Sequence, residues 1–202
     1  MSPARSVRRL RVTALAAFAM IAAAALPAVA SAACDPTPTS TVFAPWDDWS
    51  DYSLLPGGDF ESHGDGWELG NAWTTDENEP WQVGSSDDTH AMTVGAGGYA
   101  ASPWFCLGEQ HPTFRFFAHR ASWGAQLSYS VRWINVDGSI EEMRLGSITR
   151  GFRSWRATDP LPLAQALTLW DEGHTVDAQL VFRSVTGSWV IDDVYVDPYL
   201  RG

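Results

Sequence analysis

Apolar and polar positions alternate with a period of two along most of the chain, which is the spacing of half-buried strands. Between Gln126 and Trp133, the residues Leu127, Tyr129, Val131 and Trp133 fall on one face and Ser128, Ser130 and Arg132 on the other. Asp137-Gly138 then supplies hairpin-turn residues before a second run, Ile140 to Leu145. Val176, Ala178, Leu180 and Phe182 alternate in the same way with Asp177, Gln179 and Arg183. Thr113 to His119 and His90 to Val94 are further strands, set apart by Gly-rich or Pro-containing turns. Only Leu163 to Trp170 has helical spacing, with Leu163, Ala166, Leu167 and Trp170 on one side after Pro160 and Pro162. Many short strands and one short helix predict an all-β, antiparallel β-sandwich. The last strand, Ser188 to Asp197, is unusual because the adjacent carboxylates Asp192 and Asp193 interrupt an apolar run. An acidic pair placed there needs a partner.

The N-terminus sets the compartment. Arg5, Arg8, Arg9 and Arg11 precede an apolar run from Val12 to Leu26, and Ala30-Ser31-Ala32 supplies the small-x-small pattern of signal-peptidase cleavage. The run is shorter than the roughly 20 residues of a membrane span. Residues 1–32 therefore read as a cleaved signal peptide and 33–202 as one secreted domain without a membrane anchor. Ser31 stands where a lipoprotein signal usually has Leu, which argues against lipidation at Cys34. Cys34 and Cys106 are the only cysteines, and an even pair in an exported chain predicts a disulfide.

Residues 33–202 carry nine arginines, no lysine and 24 acids, a net charge of −15. Such a surface repels phosphate, so neither nucleic acid nor an anionic lipid surface is an expected partner, although a lysine-free acidic composition is also a common secretory bias. Neutral glycans or cations suit it better.

Leu54-Leu55-Pro56-Gly57-Gly58-Asp59-Phe60-Glu61, leading through a Gly-rich turn to Gly66-Trp67, and Trp189 to Val196 together resemble the opening and closing strands of jelly-roll carbohydrate-binding modules of the xylan- and glucan-binding type. That resemblance implies a jelly-roll sandwich and a structural calcium joining the first and last strands. Carried over by position, the metal ligands would be Glu61, Asp192 and Asp193, with Asp59 as a fourth. The alternative is that these acids are solvated or bonded to arginine and backbone N–H groups. Strict alternation points Asp192 and Asp193 to opposite faces, which would leave one of them in solvent. Thr113 to Ala118 and Ile191 to Pro198 also resemble phrases of small secreted actinobacterial proteins, a likeness that brings no chemistry with it.

All eleven tryptophans lie in the secreted part. Indole stacks on the C–H face of a sugar, but tryptophan is also a large core residue. Trp67, Trp133, Trp155 and Trp189 read as core, and Trp46 and Trp49 as pins for the N-terminal segment. Trp73, Trp81 and Trp123, among loop and polar neighbours, are the candidate sugar platform. Nucleophile-elbow, zincin, P-loop and dinucleotide motifs are missing, and Glu141-Glu142 and Asp171-Glu172 read as solvated edge or turn pairs. The five histidines are scattered, with His63 beside Asp65 in a turn. The expected function is a non-catalytic secreted module that binds polysaccharide or cell-wall glycan. A structural or protein-interaction domain is the alternative, and a small jelly-roll glycosidase or lyase comes third.

Overall fold

The computed structural model describes residues 34–35, 37–108, 111–135, 137–163 and 175–198. The sequence-predicted helix therefore falls outside the described residues after Leu163. A single turn of 3-10 helix, Ala44–Trp46, precedes eleven strands. These are β1 (Ser53–Leu54), β2 (Glu68–Thr75), β3 (Ala91–Ala101), β4 (Phe105–Leu107), β5 (Thr113–Arg120), β6 (Gln126–Ile134), β7 (Ile140–Ile148), β8 (Arg156–Ala157), β9 (Leu161–Pro162), β10 (Val176–Thr186) and β11 (Trp189–Val196).

Every strand pair is antiparallel, and the ladder runs β7-β6-β10-β3-β11-β5-β8 before doubling over as two layers. Strand β3 makes the turn between layers. Its first half pairs with β11 at Met92 to Val94 and its second half with β10 at Tyr99 to Ala101, while β2 follows it along the other edge. The bend falls at Gly95-Ala96-Gly97-Gly98, where Gly97 has φ +72 and the β2 register shifts around Asn71, itself at φ +50. Backbone packs there too tightly for a side chain: a Cβ on Gly98 would lie 2.4 Å from the Asn71 carbonyl oxygen. Gly98→Ala should accordingly lower stability by about 1–3 kcal/mol through overpacking, read as a lower urea midpoint. A midpoint unchanged from the natural protein would refute this account of the corner.

The first layer comprises β7, β6, β10, the second half of β3 and the start of β2. The second comprises the first half of β3, β11, β5 and β8. Their inner faces meet in one core, in which Leu127, Tyr129, Val131, Trp133, Ala178, Leu180 and Phe182 oppose Phe114, Phe116, Ala118, Trp189, Ile191, Val194 and Val196. Phe116 meets Phe182 edge-to-face at 4.9 Å between centroids. These are the alternating faces expected from the sequence, and Trp67, Trp133 and Trp189 are core as predicted.

A second, smaller cluster covers part of the outer face of the β11-β5 layer. Phe43 and Tyr52 from the N-terminal segment pack on Phe117 and Tyr195, with Trp46 and Trp155 half-buried at its margin. Buried Arg115 fixes this cover. Its guanidinium donates to Asp48 at 2.7 Å and to the Thr158 carbonyl at 2.7 Å, and lies 4.1 Å from the Phe43 ring centroid. Burial opposes ionisation of Asp48, but hydrogen bonds from Ser50, Tyr52 and Arg115 outweigh it and hold its pKa down to about 2. Trp46 thus pins the segment, whereas Trp49 does not, being 70% exposed. Trp155, read as core, lies at the edge of this second cluster, against His119. Cys34 and Cys106 form the expected disulfide, tying the start of this segment to β4.

Candidate functional site

The acidic pair in β11 sits on a β-bulge. Asp192 pairs with Phe117 and the next pair is Tyr195 with Arg115, so Asp193 and Val194 together oppose one residue of β5. Asp193 takes a left-handed conformation at φ +50. This corrects the expectation from strict alternation: the bulge breaks the period of two, and both aspartates are 1% exposed.

Asp192 is satisfied by the backbone, accepting from the N–H of Glu79 at 3.2 Å and of Asp193 at 2.9 Å. Among the described residues neither buried oxygen of Asp193 has a hydrogen-bond partner. Burial raises the pKa of Asp192 first and the charge of Asp193 second, while Asp193 is raised by burial and then by Glu79, Asp88, Asp59 and Glu61.

Glu79 and Asp88, which no sequence motif marks, belong to the loop from Asp76 to His90 that also carries Trp81. They are buried at 1% and 8% exposure. Glu79 organises the loop, accepting from the N–H groups of Trp81 and Val83 at 2.6 Å each. Asp88 accepts from Ser85 N–H at 2.8 Å. Gly84 passes between the acids, where a Cβ would lie 2.7 Å from Asp88 Oδ2 and 3.3 Å from Asp193 Oδ1. Of the expected ligands, Asp59 accepts from Glu61 N–H, and Glu61 is largely spent on Thr89 and His90. Burial opposes it, yet those bonds hold the Glu61 pKa below its ordinary value.

Among these described acids Asp193 alone offers both carboxylate oxygens free to a hard divalent cation, since Asp59, Asp192, Glu79, Asp88 and Glu61 accept from backbone N–H groups. Calcium takes six to eight oxygens, carboxylates among them, and an unpaired buried carboxylate ringed by acids has the charge that such an ion offsets. The side chains surround the spot without closing on it: among the described residues no group of three acids, histidines or cysteines is already gathered to hold a metal.

A second constellation covers the outer face of the β7-β6-β10-β3-β2 layer. Tyr99 projects from β3 with its ring over Gly70, where a Cβ would lie 2.3 Å from the ring. Its hydroxyl donates to Glu68 at 2.9 Å, which raises the phenol pKa, and the Arg183 guanidinium lies 5.3 Å from the ring centroid. Arg132 donates to Glu68 and to Gln179 at 3.2 Å each, and Arg183 donates to both oxygens of Glu142 at 3.0 and 2.8 Å. Ser130 also donates to Glu142 at 2.6 Å. Glu142, expected to be a solvated edge residue, is therefore the hub of a network spanning five strands. Burial works against its charge, but Arg183 and Ser130 hold its pKa below the ordinary value.

The three candidate platform tryptophans have different surroundings. Trp81 packs against Trp46 at 5.1 Å and Phe117 at 5.6 Å, beside the second cluster. Trp73 is 49% exposed on β2 opposite Thr93. Trp123 is 80% exposed in the β5–β6 turn, with Arg120 and Arg153 each 4.9 Å from its ring. No ring contact among the described residues joins the three. Of the histidines, His63 meets His90 edge-to-face at 4.5 Å, and His119 bonds Glu77 at 2.5 Å.

No protein-family model matches the chain, and no curated protein matches it. Solved structures do. The family 22 carbohydrate-binding module and catalytic module of Clostridium thermocellum endo-1,4-β-D-xylanase 10B, solved with xylohexaose, superpose with a TM-score of 0.50 at 14% identity, over 72% of this chain and 28% of that one. The tandem of two family 22 modules from Paenibacillus barcinonensis Xyn10C gives a TM-score of 0.50 at 10% identity, over 74% of this chain and 46% of that one. The chain thus spans less than half the length of either. At these identities the likeness is one of fold: an all-β, antiparallel jelly-roll β-sandwich.

Proposed function

We propose that the protein is a secreted, non-catalytic module that binds polysaccharide, and that the glycan lies across the outer face of the β7-β6-β10-β3-β2 layer. The observation that carries this reading is Tyr99 laid over Gly70 and bordered by Glu68, Arg132, Gln179, Glu142 and Arg183. An aromatic face against which sugar C–H groups stack stands beside donors and acceptors already fixed by one another, so little side-chain order is lost on binding. Polysaccharide and cell-wall glycan are both ligands of this type. A hydrolase would need a carboxyl group kept protonated in the cleft, and Glu142 is held the other way. Trp81, packed on Phe117, and Trp73, opposite Thr93 in the second layer, lie outside this face. A calcium ion held around Asp193, with Asp59, Glu61, Glu79, Asp88 and Asp192 as its surrounding acids, is the structural part of the same reading. The disulfide supports export.

Affinity electrophoresis tests the reading. The mature protein should be retarded in gels containing xylan, mixed-linked glucan, mannan or peptidoglycan fragments. Tyr99→Ala should weaken that retardation about tenfold, the factor that 1.4 kcal/mol represents, with the melting temperature nearly unchanged. Failure of every one of these glycans to retard the protein would overturn it in favour of a protein-interaction domain.

A further inference from the structure

We infer that the exposed end of the sandwich at Trp123 is a second glycan site, selective for anionic saccharides such as polyuronates. The inference rests on the reading of the chain as a glycan-binding module. Among the described residues Trp123 is the most exposed of the large apolar side chains, and Arg120 and Arg153 both lie 4.9 Å from its ring. Arg115, Arg132 and Arg183 all have carboxylate partners. Among the described residues Arg120 and Arg153 have none, nor do Arg144, Arg150 and Arg156, but Arg120 and Arg153 are brought together on one indole in a region with 24 acids for nine arginines. Two like charges are thus held on one indole without a counter-ion. Cation–π attraction offsets part of their repulsion, and an anion resting on the pair would offset the rest.

The site is built rather than incidental. Arg120 N–H donates to the Phe152 carbonyl at 2.8 Å, joining the two segments that carry the arginines. Arg153 follows a turn in which Gly151 and Phe152 are both left-handed. On the other side, Ala121 N–H donates to Ser188 O at 2.9 Å, Ser188 N–H donates to Ser122 Oγ at 2.7 Å and Thr186 Oγ1 donates to Gly124 O at 3.0 Å. Indole and guanidinium groups are therefore presented by a fixed end of the sandwich. A pyranose ring with a carboxylate matches both: its C–H face lies on the indole and its charge on the arginines. A sulfated sugar shares that chemistry, whereas an acidic peptide supplies charge without the ring.

Affinity electrophoresis with polygalacturonate, heparin, xylan and poly-glutamate in separate gels decides the matter. The mature protein should be retarded by polygalacturonate, and the double substitution Arg120→Gln with Arg153→Gln should reduce that retardation about tenfold or more, as should Trp123→Ala. Raising salt should weaken it. Retardation by xylan should survive these substitutions and fall only with Tyr99→Ala. Heparin in place of polygalacturonate would assign the anion as sulfate, still in support. Binding of poly-glutamate alone, or polygalacturonate retardation unchanged in the double variant, would overturn the inference. Retardation by xylan only overturns it while sparing the first site, and retardation by none of the four polymers overturns it and leaves the first site to the gels with mixed-linked glucan, mannan and peptidoglycan fragments.

Discussion

Chelated with EDTA near neutral pH, the mature protein should melt about 5–10 °C below the same protein in millimolar calcium. The figure follows from mass action: an ion at a hundredfold excess over its dissociation constant stabilises the only state that binds it by about 2.7 kcal/mol, and each kcal/mol moves the midpoint of a domain this size by about 2–4 °C. The sign of the pH effect follows from the raised pKa values of Asp192 and Asp193. Without metal, the folded state holds protons on these buried acids that the unfolded chain releases near pH 4. Their contribution is present in full below that value and is lost as pH climbs through the raised folded values, so the chelated protein should weaken between about pH 5 and pH 8. Calcium replaces the protons and should flatten that slope. Asp193→Asn keeps the shape and removes the orphaned charge, so it should make the chelated protein more stable at about pH 8 and abolish the response to calcium. Superimposable melting curves with EDTA and with calcium, at both ends of the pH range, would remove the cation from the account.

What the sequence made legible follows from which interactions are local. Alternation in β6 and β10 is a property of neighbouring residues, and it named the inward faces correctly from Leu127 to Trp133 and from Val176 to Phe182. The opening and closing segments that carry the resemblance do lie side by side, since β1 pairs with β11. Glu79 and Asp88 were not legible, because a loop of Pro, Gly, Ser and Asp between two strands reads as solvated until the bulge at Asp193 places a buried carboxylate beneath it. Glu68, Tyr99, Glu142 and Arg183 were invisible as a group for a different reason. Their proximity depends on cross-strand register over five strands, which no run of neighbours encodes. Trp123 was singled out for its polar surroundings, and its two arginines come from segments 33 residues apart that the β5–β8 pairing and the Arg120–Phe152 hydrogen bond unite.

Replacing both Cys34 and Cys106 by Ser should cost about 4 kcal/mol, the largest single loss expected for a change outside the core. The disulfide links residues 72 apart in sequence, and opening a loop of that length returns conformational freedom mainly to the unfolded chain. The folded state has little reason to change, because the segment after Cys34 is held by contacts of its own. Thr37 Oγ1 donates to Ser53 Oγ at 2.7 Å, Ser40 and Tyr52 exchange backbone hydrogen bonds, and Phe43 is fully buried against Phe117 and Tyr195. The double variant should therefore show a lower guanidinium midpoint at an altered slope, since its unfolded state is more expanded. Retardation by xylan should stay as in the natural protein, because the Tyr99 face lies on other strands. Two freely alkylated thiols in the native secreted protein would refute the bond itself. Loss of glycan binding together with stability would show instead that the N-terminal segment shapes the folded binding face.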